Sequence, residues 1–259
     1  MKDVQSEKDK RGITIQHVGV SDVVMPIEVK DKEHGFQSTI ASFNIGVELP
    51  ADKRGTHMSR FIEYIQDIDE PLSFKMLMMT ILPEIKRELE AESGQITVAF
   101  PYFVPVISPV SNLSSKLKVH VTFFVKDDEA WMTVVTPVTT VCPCSKEISD
   151  RGAHNQRGDV SISIKANGWV WVEELIKMAI DSASAPVFPL LKRPDEKAVT
   201  EQAYDNPRFV EDVVREVQSR VKKHPQILRY KIHVVNYESI HSHNAYAYIE
   251  GGDDIAKKD

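Results

Sequence analysis

Cysteine is scarce in this 259-residue chain, which has two. A disulfide scaffold is thereby excluded, and a reducing, cytoplasmic setting is expected. A basic excess is missing as well. The formal net charge is -6, so nucleic acid is not an expected partner, and an anionic ligand requires a local basic patch. No apolar run reaches the roughly 18 residues of a membrane-spanning helix, so no membrane partner is expected. The opening residues, MKDVQSEKDKRG, are charged and lack an apolar centre. They are expected to form a flexible tail over residues 1–13, not a secretion signal. Neither a Walker loop nor a Gly-x-Gly-x-x-Gly fingerprint occurs, and no linker is rich in glycine or serine. The remaining composition, 42% hydrophobic and 27% charged, is that of a globular protein long enough for one large domain or two small ones.

Several segments alternate as half-buried strands do. Ala41, Phe43, Ile45, Val47 and Leu49 alternate with Ser42, Asn44, Gly46 and Glu48. Leu117, Val119, Val121, Phe123 and Val125 do the same within 116–126, as do Val160, Ile162 and Ile164 within 159–165. Segments 95–107, 130–141, 227–237 and 243–250 are rich in β-branched and aromatic residues, and 14–20 is a weaker strand candidate. Helical spacing fills the gaps at 57–68, 72–91, 169–183 and 208–222. Pro83 is expected to kink or break the second of these, and Asn206 to cap the fourth with Pro207 in its first turn. Trp169 and Trp171 are expected in the core. The order is two strands, two helices and two strands, then the same again. An α+β architecture follows, with antiparallel sheets and helices on one face, divided into modules 14–128 and 129–259. The longest loops, 108–115 and 184–198, are long enough to suggest function.

The densest chemistry is Cys142-Pro143-Cys144-Ser145-Lys146, followed by Arg151 to Gly158 with His154 and Arg157. Thiolate and imidazole suit zinc, iron or another borderline metal. Two thiols and one histidine do not fill a closed structural zinc site, so an open site completed by a distant residue is expected. The same residues also read as a buried cysteine pair with a backbone-bonded histidine, or as a cysteine nucleophile activated by His154 or Lys146. A second cluster, Lys53-Arg54-Gly55-Thr56-His57-Met58-Ser59-Arg60, stands where a strand gives way to a helix. Such a place attracts phosphate, and it equally reads as a start capped by Thr56. A third runs from Asn236 to Asn244 and holds Glu238, His241 and His243. It reads as acid–base machinery or as a hydrophilic turn. Glu196, Glu201 and Glu211 frame a fourth region. One of these carboxylates could accept the paired N1–H and N2 donors of guanine, although most such groups are solvated.

The strings GTHMSRF (55–61), TTVCPCSKEIS (139–149), GAHNQRG (152–158) and DNPRFVEDVVR (205–215) closely resemble type IB GTP cyclohydrolase I, and the resemblance spans the chain after its tail. It implies the tunnelling fold, built of two ββααββ modules per chain, and a homotetramer with active sites at subunit interfaces. It implies conversion of GTP and water to 7,8-dihydroneopterin triphosphate and formate, the first step toward folate, with manganese, iron(II) or zinc as cofactor. By the same resemblance Cys142, His154 and Glu196 hold the metal. Cys144 is a neighbouring alternative, and the register leaves Glu201 competing with Glu196. Glu211 anchors guanine, and Glu238 and His241 contact substrate and handle protons. The triphosphate falls to His57, Arg60, Lys146 and Arg157, with Lys53 and Arg54 as further candidates.

Ring opening at C8 needs a nucleophilic water near neutral pH, which a metal on Cys142 and His154 can supply. The expected proton donor is His241, and Glu211 would turn C8 toward the metal by positioning alone. The alternatives are an archaeal-type enzyme that forms a cyclic phosphate, a pterin- or metal-binding protein without catalysis, and a cysteine-nucleophile nitrile reductase.

Overall fold

The computed structural model describes residue 5, residues 7–66, residue 68 and residues 70–253. Of the expected N-terminal tail, residues 1–4 and 6 lie outside the described residues. The strands are β1 (Ile15–Asp31), β2 (Gly35–Leu49), β3 (Gly94–Ile107), β4 (Ser114–Lys126), β5 (Glu129–Val141), β6 (Asn155–Ala166), β7 (Ala185–Pro186), β8 (Ile227–Asn236) and β9 (Ala245–Gly252). The helices are α1 (Met58–Gln66), α2 (Phe74–Met76), α3 (Leu82–Glu88), α4 (Pro143–Ile148), α5 (Val172–Ile180), α6 (Arg193–Asp205) and α7 (Val210–Val221), with a π-helical turn at Leu77–Ile81 between α2 and α3. Among the described residues, no helix is long and apolar enough to cross a membrane.

The strands form one nine-stranded sheet in the order β1-β2-β3-β4-β5-β6-β8-β9, with β7 paired to β5. This corrects the expected tunnelling fold of two tandem ββααββ modules. The chain crosses the expected boundary at 128/129 in a two-residue turn, Asp127-Asp128, so the sheet does not break there. Asp127 has φ +50, the left-handed conformation such a turn requires, and its carboxylate accepts from Lys86 Nζ (2.6 Å), Ser93 Oγ (2.8 Å) and the Gly94 N–H (3.0 Å).

Two compact units are distinguished: Met1–Pro101 with Thr122–Met132, and Tyr102–Val121 with Thr133–Asp259. In the first, β1 and β2 pair antiparallel up to Asp31↔Gly35, and β2 pairs antiparallel with β3. The 14–20 strand therefore continues to Asp31. A register shift between Val20 and Val23, with Asp22 at φ +55, interrupts its alternation and hides the extension from a periodicity search. Pro26 is tolerated because β1 ends the strand order. Phe43, Ile45, Ile96 and Val98 are buried, as are Phe61 and Ile65 of α1 and Leu82 and Ile85 of α3. Each such side chain contributes about 1.5–3 kcal/mol of transfer free energy. Leu82 N–H bonds Leu77 O, five residues back, and Pro83 stands in the first turn of α3. The π turn thus falls just before a residue that can donate no backbone hydrogen bond.

In the second unit β6 pairs antiparallel with β8, and β8 with β9. α7 packs on β8, β9 and α5, burying Val210, Val213, Val214, Val217 and Val221. Two local expectations are corrected here. α7 begins at Val210 after Phe209. Asn206 instead ends α6, donating from Nδ2 to the carbonyls of Ala183 (2.9 Å) and Ser184 (3.3 Å). Trp169 is 40% exposed and packs edge-on against Trp171 at 5.1 Å, outside the core.

Candidate active site

Cys142, His154, Glu238 and His241 fall at one end of the β6–β8 pair. The antiparallel register sets Gly158 opposite Asn236, so the segment entering β6 and the segment leaving β8 emerge side by side. Gly158 is required at this base. A Cβ there would stand 2.6 Å from Val235 O and 2.8 Å from Asn236 Oδ1.

The entering segment is closed by its own hydrogen bonds. Cys142 caps α4, Pro143 occupies the first turn where its missing N–H costs nothing, and Cys142 Sγ accepts the Ser145 N–H at 3.4 Å. The Cys142 N–H donates to His154 O (3.2 Å), and the His154 N–H donates to Ser145 Oγ (3.1 Å). Thiol and imidazole are thereby held in one loop. His154 Nδ1 lies 3.0 Å from Gln156 Oε1, and Gln156 Nε2 donates to Thr140 Oγ1 at 2.9 Å. Cys142 is half-buried and Cys144 exposed, and both are free thiols.

Among the described residues, the hydrogen bonds of the leaving segment gather at its root. The Tyr237 N–H donates to Arg157 O (2.9 Å) and its hydroxyl to Asp159 Oδ2 (2.7 Å), a bond that raises the phenol's pKa. Glu238 is half-buried, and His241 and His243 are exposed. The His241 ring meets His154 edge-on at 6.3 Å and stacks on His243 at 5.2 Å.

The carboxylates sort into two kinds. Asp195 is fully buried, and its oxygens accept the N–H groups of Val110 (2.9 Å), Ser111 (2.8 Å) and Lys192 (2.9 Å). Burial pushes this carboxyl up, but the N–H groups of Ser111, Lys192 and Val110 outweigh it and hold the group well below the usual carboxylate range. The 108–115 loop is thus fastened to the first turn of α6. Asp212 plays a similar part in α7, accepting the Phe209 N–H at 3.0 Å. Glu196 and Glu211, next to these capping residues, are exposed, and Glu201 is exposed beside Lys197 at 3.6 Å. α6 also backs the cysteine loop, since Val199 and Ala203 pack with Val141, Ala153 and Ala185.

Among the expected phosphate-binding cations, Lys146 donates to Tyr204 O (2.5 Å) and lies over the Tyr204 ring at 4.3 Å, while Arg157 is exposed on β6. Lys53, Arg54, His57 and Arg60 belong to the other unit. There Lys53 pairs with Glu90 at 2.8 Å, Arg54 pairs with Glu7, and Arg60 donates to Glu88 O at 2.7 Å. Thr56 is buried and His57 half-buried just ahead of α1.

No group of three His, Cys, Asp or Glu side chains able to hold a metal forms among the described residues. The donor chemistry of the pair nevertheless fits a divalent cation. Cys142 offers a thiol whose only described bond is the long one from Ser145, and His154 offers an imidazole whose Nδ1 lies against Gln156 Oε1. Ser145 and Gln156 stand in the cysteine–histidine run without a role assigned from sequence, and Thr140 is not singled out there. The signal was present for Gln156, a polar residue in phase with the buried Val160, Ile162 and Ile164.

A family model described as type I GTP cyclohydrolase folE2 matches residues 1–247. The chain belongs to this family. It is 45% identical over 254 residues to GTP cyclohydrolase FolE2 of Nitrosococcus oceani, covering 96% of this chain and 95% of that one. It is 49% identical over 255 residues to GTP cyclohydrolase FolE2 of Kosmotoga olearia, covering 97% and 99%. GTP cyclohydrolase I activity in folate biosynthesis goes with this membership, and the narrower type IB label gives way to the FolE2 type. Among solved structures, uricase from Arthrobacter globiformis is similar in fold, with a TM-score of 0.52 at 7% identity over 100% of this chain and 97% of that one. That likeness is one of fold alone, and it accompanies the single nine-stranded sheet that replaces the tandem modules.

Proposed function

We propose that this FolE2-type cyclohydrolase is metal-dependent and that Cys142 and His154 hold the metal, which is manganese, iron(II) or zinc. The observation that carries the reading is the closed loop of hydrogen bonds that fixes the thiol-bearing and imidazole-bearing residues together. A bound divalent cation supplies Lewis acidity, which makes a nucleophile of water near neutral pH. Glu196, exposed on the helix that backs this loop, is proposed as the third ligand, with Glu201 the neighbouring alternative.

The remaining work falls to the chain's own side chains. Glu211 accepts the N1–H and N2–H donors of guanine and holds the base with C8 toward Cys142 and His154. His241 delivers a proton to an imidazole nitrogen of the opening ring, and Glu238 orients it. Arg157 and Lys146 take the triphosphate, for which Lys146 must leave the Tyr204 carbonyl, and His57 and Arg60 are contributed by a neighbouring subunit. The products are 7,8-dihydroneopterin triphosphate and formate. A homotetramer with interface sites suits the exposure of Glu196, Glu211 and His241, and the two free thiols suit a cytoplasmic setting.

The test is incubation with GTP after chelation, and again after manganese, iron(II) or zinc is restored, reading pterin fluorescence and product mass. Activity lost on chelation and regained with a metal, with a triphosphate product, is expected. Full activity in the chelated protein sinks the metal reading, and a cyclic phosphate product sinks the product assignment.

A further inference from the structure

We propose that Gln156 is a positioning residue that sets the tautomer of His154, an inference that rests on the reading of His154 as a metal ligand. Gln156 is 6% exposed and Thr140 is fully buried, so the contact between their side chains is shielded from water. Gln156 Nε2 donates to Thr140 Oγ1 at 2.9 Å, and this turns Oε1 toward the imidazole, 3.0 Å from His154 Nδ1. An amide oxygen only accepts, so Nδ1 carries the proton and Nε2 carries the lone pair. The main chain of His154 is anchored independently, through the bonds from the His154 N–H to Ser145 Oγ and from the Cys142 N–H to His154 O. Main chain and ring are therefore each anchored before any ligand arrives, the ring through Nδ1. A buried glutamine on the sheet face lined by Val160 and Ile162 is a cost to the fold unless its amide is used, and here both ends of it are.

The chemical consequence is a prepaid orientation. A free imidazole divides between two tautomers and rotates, whereas this one offers Nε2 in a single direction. Partners of this kind are worth about 10- to 100-fold in metal affinity. The order Thr140–Gln156–His154 also makes a prediction about rescue. Any residue at 156 that presents an oxygen acceptor at the same reach preserves the function, and an apolar residue of similar size destroys it.

The experiment begins with the wild-type protein in its metal-free form, with 15N-labelled histidine. The His154 resonances, assigned by their loss in His154→Ala, are expected to report protonated Nδ1. Protonated Nε2 overturns the inference, and no folding question arises. Manganese and zinc affinities are then measured directly for wild type, Gln156→Leu, Gln156→Glu and Thr140→Val. Gln156→Leu is expected to weaken metal binding about 10- to 100-fold, Gln156→Glu to stay near wild type, and Thr140→Val to fall between. Wild-type affinity in a folded Gln156→Leu overturns the inference while leaving His154 as ligand. If Gln156→Leu fails to fold, Thr140→Val takes its place, and wild-type affinity together with an unchanged tautomer there overturns the inference. Wild-type affinity in His154→Ala overturns the underlying ligand reading, which separates the two failures.

Discussion

The two segments that meet at the end of the β6–β8 pair are built on opposite plans. Residues 142–158 are cross-braced, with side chain to backbone, backbone to backbone, and a buried amide relay behind His154. Residues 237–243 are fastened at Tyr237 and then held by ring contacts of the exposed His241 with His154 and His243. The difference matches two kinds of chemical labour. A ligand set gains affinity when its geometry is fixed in advance, because no ordering entropy is left to lose on binding. A proton donor must follow a substrate whose shape changes as its ring opens, and a loop rooted at one end allows that.

If that division is right, damage to the braced segment removes the metal, and damage to the looser one leaves the metal in place. The largest effect is expected for Cys142→Ala and His154→Ala, each reducing turnover to background together with bound metal. Metal analysis beside the assay checks this, and a metal-replete, active Cys142→Ala protein ends the comparison. His241→Ala comes next. Turnover should fall about 10²- to 10⁴-fold, the range for loss of a general acid, with metal content unchanged. Metal lost along with activity would place His241 among the ligands.

Glu211→Gln sharpens the comparison within α7, whose first turn holds two acidic residues with different tasks. Asp212 is spent on the Phe209 N–H and Glu211 is exposed. Replacing one charged acceptor of a bidentate pair should raise KM for GTP about 10- to 100-fold, from the 1.5–3 kcal/mol typical of hydrogen bonds to charged groups. Metal content and thermal stability should be unchanged, and a fall in either assigns Glu211 a structural task.

How much of this could be read from the residues follows from the same physics. Alternation in β2, β4 and β6 was plain because one face of each is buried and the other is not. The cysteine–histidine loop stood out because its residue types are chemically unusual and close in sequence. α6 was hidden, since only Asp195 and Ala203 of its thirteen residues are buried, which leaves no apolar stripe to detect. Its start is fixed by Asp195, which also binds N–H groups some 85 positions away, and local spacing does not register such bonds. The single sheet is hidden in the sequence for a related reason. Strand order is a long-range property, and a repeating order of elements is compatible with one sheet or with two.

A smaller effect is expected at the base that both segments share. Gly158→Ala forces a Cβ against Val235 O and Asn236 Oδ1, at distances under 3 Å, and one of those contacts is backbone that cannot swing aside. Overpacking of this kind costs about 1–3 kcal/mol. The loss should appear in denaturant unfolding as a lower midpoint with an unchanged slope. Because the base serves both segments, metal affinity and turnover should fall together, and a change in only one would show that the two segments are anchored separately.

The smallest effect is the most selective. Asp195 fastens α6 to residues 110 and 111, and α6 in turn backs Val141 and Ala153 beside the braced segment. Asp195→Asn keeps one oxygen acceptor and turns an amide N–H toward donors that need an acceptor. It should lower the melting temperature at pH 7 by a few degrees and weaken metal binding slightly, leaving the 237–243 segment untouched. The pH dependence gives the sign. The folded carboxyl is held below its ordinary value, so its stabilising contribution is complete above the unfolded value near pH 3.9 and is lost as pH falls from there toward the folded value. The gap between wild type and Asp195→Asn should therefore be constant from neutral pH down to about pH 5 and close only in stronger acid. A gap that instead closes between pH 8 and pH 6 would tie the effect to a histidine, and the anchoring role of Asp195 would have to be given up.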